Sequence, residues 1–277
     1  MKLRAGAGLA LLLALAACGG PRPGANATLQ PAIAPDAHVP DFAKRPFEPL
    51  SRANAVAITM REWRSFGNLV DDDPPGTSSL PRSLRPDKQP GLWQRVGEYW
   101  WLGQDAGTKE SGWTSKYNEY GVEYGGDAPA WSAAFISYVM RAAGAGDRFT
   151  YSPLHADYIN AAAQSLGALR AERPEAYAPQ PGDLICVGRG AARTMRFEDL
   201  PTSRFFGHCD IVVQVQPGQI SVVGGNVDAG VTLKHVPTTP SGTLASTDGH
   251  VVDERYNWFV VLRVLYDAEV KSATAQR

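Results

Sequence analysis

Turn dipeptides cut the second half of the chain into short apolar runs, and that rhythm limits the folds open to it. Leu184–Val187, Cys209–Val215, Gln219–Val223, Val231–Val236 and Trp258–Tyr266 are strand-length, rich in Val and Ile, and punctuated by Pro-Gly, Gly-Gly and Asp-Gly pairs. The first half has a different period. Ser51 reads as an N-cap, and Val56, Met60 and Trp63 follow at helical spacing, so a helix runs to about Phe66. The stretch "GLWQRVGEYWWLGQD" places Trp93, Val96 and Trp100 on one helical stripe, and "GGDAPAWSAAFISYVMRAAG", Gly125 to Gly144, is a turn leading into a third helix. A fourth helix is capped by Ser152, with Pro153 in its first turn. Helices first and an antiparallel sheet second predict an α+β domain. With 44% apolar residues in 277, one sizeable core is enough, and the domain is expected to span residues 51–268 with a short tail at 269–277.

The N-terminal residues stand apart. Lys2 and Arg4 precede an apolar run from Ala5 to Ala17, shorter than the roughly twenty residues a spanning helix needs, so residues 1–18 are expected to be an export signal. The run closes on "LAACGG", which resembles the bacterial lipoprotein box. That resemblance implies cleavage before Cys18, lipidation of Cys18, and a partnership with the lipid bilayer. With no aspartate after Cys18, the periplasmic face of the outer membrane is the expected location. Residues 19–50, with prolines at 21, 23, 31, 35, 40, 46 and 49, are an extended tether able to hold the domain out toward the cell wall.

A formal net charge of −1 gives no electrostatic reason to expect a nucleic-acid partner. No set of His, Cys and Asp has metal-ligand spacing and no glycine-rich phosphate loop is present, so neither a metal nor a cofactor is expected. The "DDD" at Asp71–Asp73 lacks the alternating ligands of a calcium loop and reads as a solvated acidic turn, within a loop that runs to Pro90. His38, His235 and His250 fall in linker or loop contexts.

Ser132 opens the third helix with an apolar wall behind it, and two roles fit it. Unpaired N–H groups and the positive dipole end make a helix N-terminus a good place for a nucleophile, and also for a simple cap. Three features then line up in order: the Gly-Gly turn into "AWSAAF", "PGDLICV" as a first strand, and "GHCDIVVQV" as a second strand entered by His208. Together they resemble the papain-like cell-wall hydrolases of the CHAP and NlpC type, over roughly Tyr124 to Val236. In those families the helix begins with a catalytic cysteine, often in "PWCAAF", the strand after "PGD" begins with the catalytic histidine, and a polar residue of the next strand orients the imidazole. The flanking parts resemble a bacterial lipoprotein family of unknown function.

The resemblance implies a papain-like site with Ser132 as nucleophile, His208 as base, and Asn226, in "VVGGN", as the orienting residue. It departs in two places: Ser132 stands where the cysteine would, and Gly224-Gly225-Asn226 replaces the CHAP "E-x-N" pair. A thiol near pKa 8.5 can be acidified to about 3.5–7.5 by a helix N-terminus and an imidazole. A serine keeps its proton until the attack and needs a histidine locked by a carboxylate. Asp210, two residues past His208, and Asp228, two past Asn226, are the candidates. Asp210 has to curl back along its own strand, which slightly favours Asp228 or Asn226.

Tyr124, Trp131 and His155 are placed to line the cleft, within a stretch dense in Trp and Tyr suited to stacking on sugar faces. The loop "GRGAARTMRFEDLPTSRFF" is longer than a hairpin needs and carries Arg189, Arg193, Arg196 and Arg204, with Arg204 counted among the substrate-binding residues. The resemblance also makes the strands of Cys186 and Cys209 antiparallel neighbours, so that the two cysteines either form a disulfide or remain free and buried. The expected function is action on peptidoglycan, or on a related amide or ester, through a Ser-His site; the alternative is a wall-binding lipoprotein without catalysis.

Overall fold

The computed structural model describes residues 51–77, 80–103 and 130–265. The expected signal, Cys18, the expected tether, Tyr124 and the expected tail from 269 lie outside the described residues. Among the described residues four α-helices, α1 (Arg52–Ser65), α2 (Leu92–Gly103), α3 (Ser132–Ala142) and α4 (His155–Ala163), are followed by most of a seven-stranded sheet. Its strands are β1 (Leu69–Val70), β2 (Leu169–Glu172), β3 (Leu184–Gly188), β4 (Gly207–Gln216), β5 (Gln219–Val227), β6 (Gly230–Pro237) and β7 (Trp258–Val264), in the spatial order β1-β6-β5-β4-β3-β7-β2. The architecture is α+β, as the change of period predicts.

The sheet is mixed, not purely antiparallel. The two-residue β1, inside the stretch expected to be loop, pairs parallel to β6 at one edge; the other neighbouring pairs are antiparallel. Neither β1 nor β2 carries an apolar run long enough to read as a strand. The acidic turn also does more than meet solvent: Asp72 accepts from the His235 amide at 2.7 Å and faces its Nδ1 at 2.8 Å, which pins the turn to β6. His235 is accordingly a strand residue.

Alternation along the central strands sorts side chains to two faces. Leu184, Cys186, Cys209, Ile211 and Val223 pack with α1, α2 and α3 in the main core. Ile185, Val187, Val212, Val222 and Val236 pack on the other face beneath Trp258, Leu244 and Tyr256. Burial on both faces explains why these strands read as unbroken Val and Ile runs. Cys186 and Cys209 are directly opposite in the β3–β4 ladder and are joined by a disulfide.

Ser51 caps α1, its hydroxyl accepting from the Asn54 amide. The inward stripe of α1 is Ala55, Ile58, Thr59 and Glu62, while Val56, Met60 and Trp63 flank it. A carboxylate can occupy that stripe because Arg95 pairs with it and the Tyr99 and Tyr138 hydroxyls donate to it. These partners outweigh burial and hold Glu62 below the usual carboxylate range. The aspartate of the "PGD" turn is equally committed. Asp183 pairs with Arg52 at 2.7 Å and accepts from the Val264 and Gln180 amides and the Tyr177 hydroxyl, fixing the start of β3.

Candidate active site

Helix α3 is buried along nearly its whole length and approaches β5 so closely that a Cβ at Gly225 would overlap Phe135. Its N-cap is Trp131, which makes no side-chain cap bond. Ser132 therefore sits one residue inside the helix, and its hydroxyl is free of the capping role. It points instead to His155: Ser132 Oγ and His155 Nε2 are 2.7 Å apart, both residues being buried. The other ring nitrogen, Nδ1, is in contact with the Tyr158 hydroxyl one turn along α4. Ser152 does not end up as the N-cap of α4, which is Leu154. It lies just before the helix, where it accepts from the Leu154 amide and donates to Asp157.

A second imidazole lies beside the first. The ring centroids of His155 and His208 are 5.3 Å apart. His208, at the start of β4, places Nε2 at 2.8 Å from Asp210 Oδ1, and Lys234 on β6 places Nζ at 2.6 Å from the other oxygen. All three side chains are essentially inaccessible to solvent. With the carboxylate ionised, the Nε2 proton points to Asp210 and the Nδ1 lone pair is left free; that buried atom has no hydrogen-bond partner among the described residues.

Asp210, not Asp228 or Asn226, is thus the residue that orients His208. Gly224 explains how it reaches. A Cβ there would overlap Asp210 Oδ1 and lie 3.0 Å from His208 Nε2, so the glycine at the "E-x-N" glutamate position leaves open the space that the Asp210 carboxylate fills. Asp228 is exposed in the β5–β6 hairpin turn, where it and Ala229 both have positive φ as a two-residue type I′ connection requires. Asn226 lies at the adjacent register shift, half-buried and also at positive φ.

Trp131 is not a cleft wall. It is 1% exposed, its ring packs against Phe66 and Tyr99, and its indole N–H donates to Asp87. Arg204 is exposed and pairs with Asp157 on α4 at 3.1 Å. It lines a groove of about 510 Å³ formed by the loop between β3 and β4, together with Arg189, Met195, Phe205 and Phe206. Lys234 carried no signal in the sequence, where a strand lysine reads as solvated.

The electrostatics keep both imidazoles neutral. Burial pushes His208 down to about 4, with the Arg189 charge acting the same way and Asp210 opposing. Burial, His208 and Arg189 together push His155 well below its ordinary value, again against Asp210. Burial would raise Asp210, but Lys234 and His208 overcome it and hold the carboxyl well below the usual range. Stability then depends on pH in a definite direction. Between about pH 4 and 6.5 the unfolded chain protonates His208 while the folded protein leaves it neutral. Stability is complete above 6.5 and falls as the pH drops through that window, by about 3 kcal/mol for this one group. Urea unfolding at pH 7 and pH 4.5 is expected to show the loss, and His208→Gln to flatten the slope.

The model of one bacterial family, described as an uncharacterized protein conserved in bacteria (DUF2272), matches residues 87–264. The chain belongs to this family. The DUF2272 match contains Ser132, His155, Tyr158, His208, Asp210, Gly224 and Lys234, so the whole constellation lies inside the family's own domain. No curated protein and no solved structure matches the chain. Among the described residues, no helix is long and apolar enough to cross a membrane and no group of His, Cys, Asp and Glu is arranged to hold a metal ion.

Proposed function

We propose that this DUF2272 protein is a serine-nucleophile hydrolase acting on an amide or ester bond of the bacterial cell wall, with its base on helix α4 and not on the strand that the papain-like resemblance implies. The observation that carries the reading is the 2.7 Å contact between Ser132 Oγ and His155 Nε2 at the buried N-terminus of α3. Nucleophile and base are within hydrogen-bond reach, and the base is held from its far side by Tyr158. Ser132 attacks the acyl carbon as its proton passes to His155 Nε2. The same proton then protonates the leaving amine or alcohol, and water releases the acyl group by the reverse path.

The oxyanion meets the first amides of α3. The Phe135 amide already bonds the Trp131 carbonyl. The amides of Ser132 and Ala133 precede it and have no partner within the helix, so they are available to a developing charge. His155 rather than His208 is the base in this scheme, because it is the imidazole in contact with the hydroxyl. Asp210 favours the imidazolium through space, and the His208–Asp210–Lys234 chain fixes the wall behind it. A cell-wall substrate is supported by the lipoprotein box and tether read from the sequence, which put the domain on the bilayer within reach of peptidoglycan.

The test is incubation of the domain, without its signal and tether, with isolated cell wall and with small ester probes, comparing the native protein with Ser132→Ala. Soluble product from the native protein alone supports the hydrolase. A non-catalytic wall-binding protein is the second reading, favoured by the near-complete burial of Ser132, His155 and His208. Equal wall retention with no product from either form would establish it and overturn the hydrolase.

A further inference from the structure

The loop between β3 and β4 is fastened along α4, and its own residues line a groove that comes near His155 at Gly207, where an added Cβ would meet Phe205 at 3.2 Å and His155 at 3.7 Å. Thr202 and Asn160 exchange two hydrogen bonds at 2.9 Å, and Arg204 pairs with Asp157, two residues beyond His155. Arg189 also lines the groove. Its amide donates to the Phe206 carbonyl at 2.7 Å, continuing the ladder in which Gly188 opposes Gly207 and Val187 opposes His208. Alternation then puts Arg189 on the same sheet face as Val187 and His208.

Arg189 is an exposed residue with no ion pair or hydrogen bond among the described residues; its guanidinium is partly desolvated, and its charge is felt by His155, His208, Asp210 and Tyr256. Arg204, the other arginine of the lining, is already paired with Asp157. Asp199 shares the groove, but its carboxylate accepts the Arg196 amide. Met195, Phe205 and Phe206 line the same groove as the two arginines, and Phe206 is 74% exposed. A guanidinium without a partner beside uncovered apolar surface is complementary to a ligand that is both anionic and apolar.

We propose that this groove is a subsite for a substrate carboxylate next to an apolar side chain, with Arg189 as the residue that takes the carboxylate. The proposal rests on the hydrolase reading for its position beside Ser132, but the binding it asserts is measurable without turnover. A fork of N–H donors suits a planar carboxylate held in a bidentate pair, so lysine is only a partial substitute.

The test is calorimetric titration of the Ser132→Ala protein with N-acetyl-Ala-Phe as the free acid and as the C-terminal amide. The acid is expected to bind about ten- to a hundredfold tighter, Arg189→Gln to abolish the preference, and Arg189→Lys to keep part of it. Equal affinity of acid and amide, no binding of either at millimolar concentration, or a preference that survives Arg189→Gln would overturn the proposal. The two readings fail separately. Turnover by the native protein without carboxylate preference sinks the subsite alone, whereas an Arg189-dependent preference without any turnover sinks the hydrolase alone.

Discussion

Ser132→Ala is expected to lower kcat/KM toward an ester probe by about 10³-fold or more, with the fold unchanged. The magnitude follows from the role proposed for the hydroxyl: if it forms the acyl-enzyme, its loss leaves only binding and the α3 amides to act on attacking water. His155→Gln is expected to cost nearly as much, because glutamine cannot take the proton. His208→Gln is expected to cost far less, about tenfold, since its ring touches His155 and not the hydroxyl. Matching losses in the first two variants and a smaller one in the third is the signature of a Ser132–His155 unit. Were His208→Gln the more damaging of the two histidine changes, the base would be His208 and the assignment of His155 would fail.

The largest expected effect on stability is at Asp210. Its carboxylate is inaccessible to solvent and is shared by His208 and by the buried ammonium of Lys234. Asp210→Asn leaves that ammonium without a counter-charge in a low-dielectric layer under Tyr256 and Trp258. Breaking one side of such a pair costs about 3–5 kcal/mol, whereas replacing both partners with apolar groups of similar volume restores much of the loss. Urea unfolding of Asp210→Asn, Lys234→Met and the Asp210→Leu/Lys234→Met double variant is the check. The double variant is expected to be more stable than the sum of the single losses; simple additivity would mean that the two groups do not depend on each other. Gly224→Ala probes the same site from β5, because its methyl group claims the space of Asp210 Oδ1.

What the sequence disclosed and withheld can be traced residue by residue. The strand runs from Leu184 onward were legible because turn dipeptides bound them and both sheet faces are buried. Ser132 was legible as a helix start, and Cys186 with Cys209 as a possible cross-strand pair. The pairing of Ser132 with His155 was not, because it depends on how the N-termini of α3 and α4 meet in space, and no spacing along the chain records that. The sequence alone ranks Asp210 below Asp228, because a carboxylate two residues along the same strand has to curl back to reach the imidazole. The missing information was the room at Gly224 and the pull of Lys234, two features on different strands. One signal was present, however: a glycine at the glutamate position of the resembling pattern, coupled with an aspartate two residues past the histidine. Trp131 misled for the opposite reason, since an aromatic next to a candidate nucleophile suits a cleft and a core equally well.

The central claim is that Ser132 is a nucleophile activated by His155, and trapping tests it most directly. The native domain treated with a fluorophosphonate near pH 7.5 is expected to gain one phosphonyl group, mapped by mass spectrometry to the peptide containing Ser132, while His155→Gln labels far more slowly and Ser132→Ala not at all. Absence of an adduct on the native protein, or an adduct confined to another residue, would contradict it.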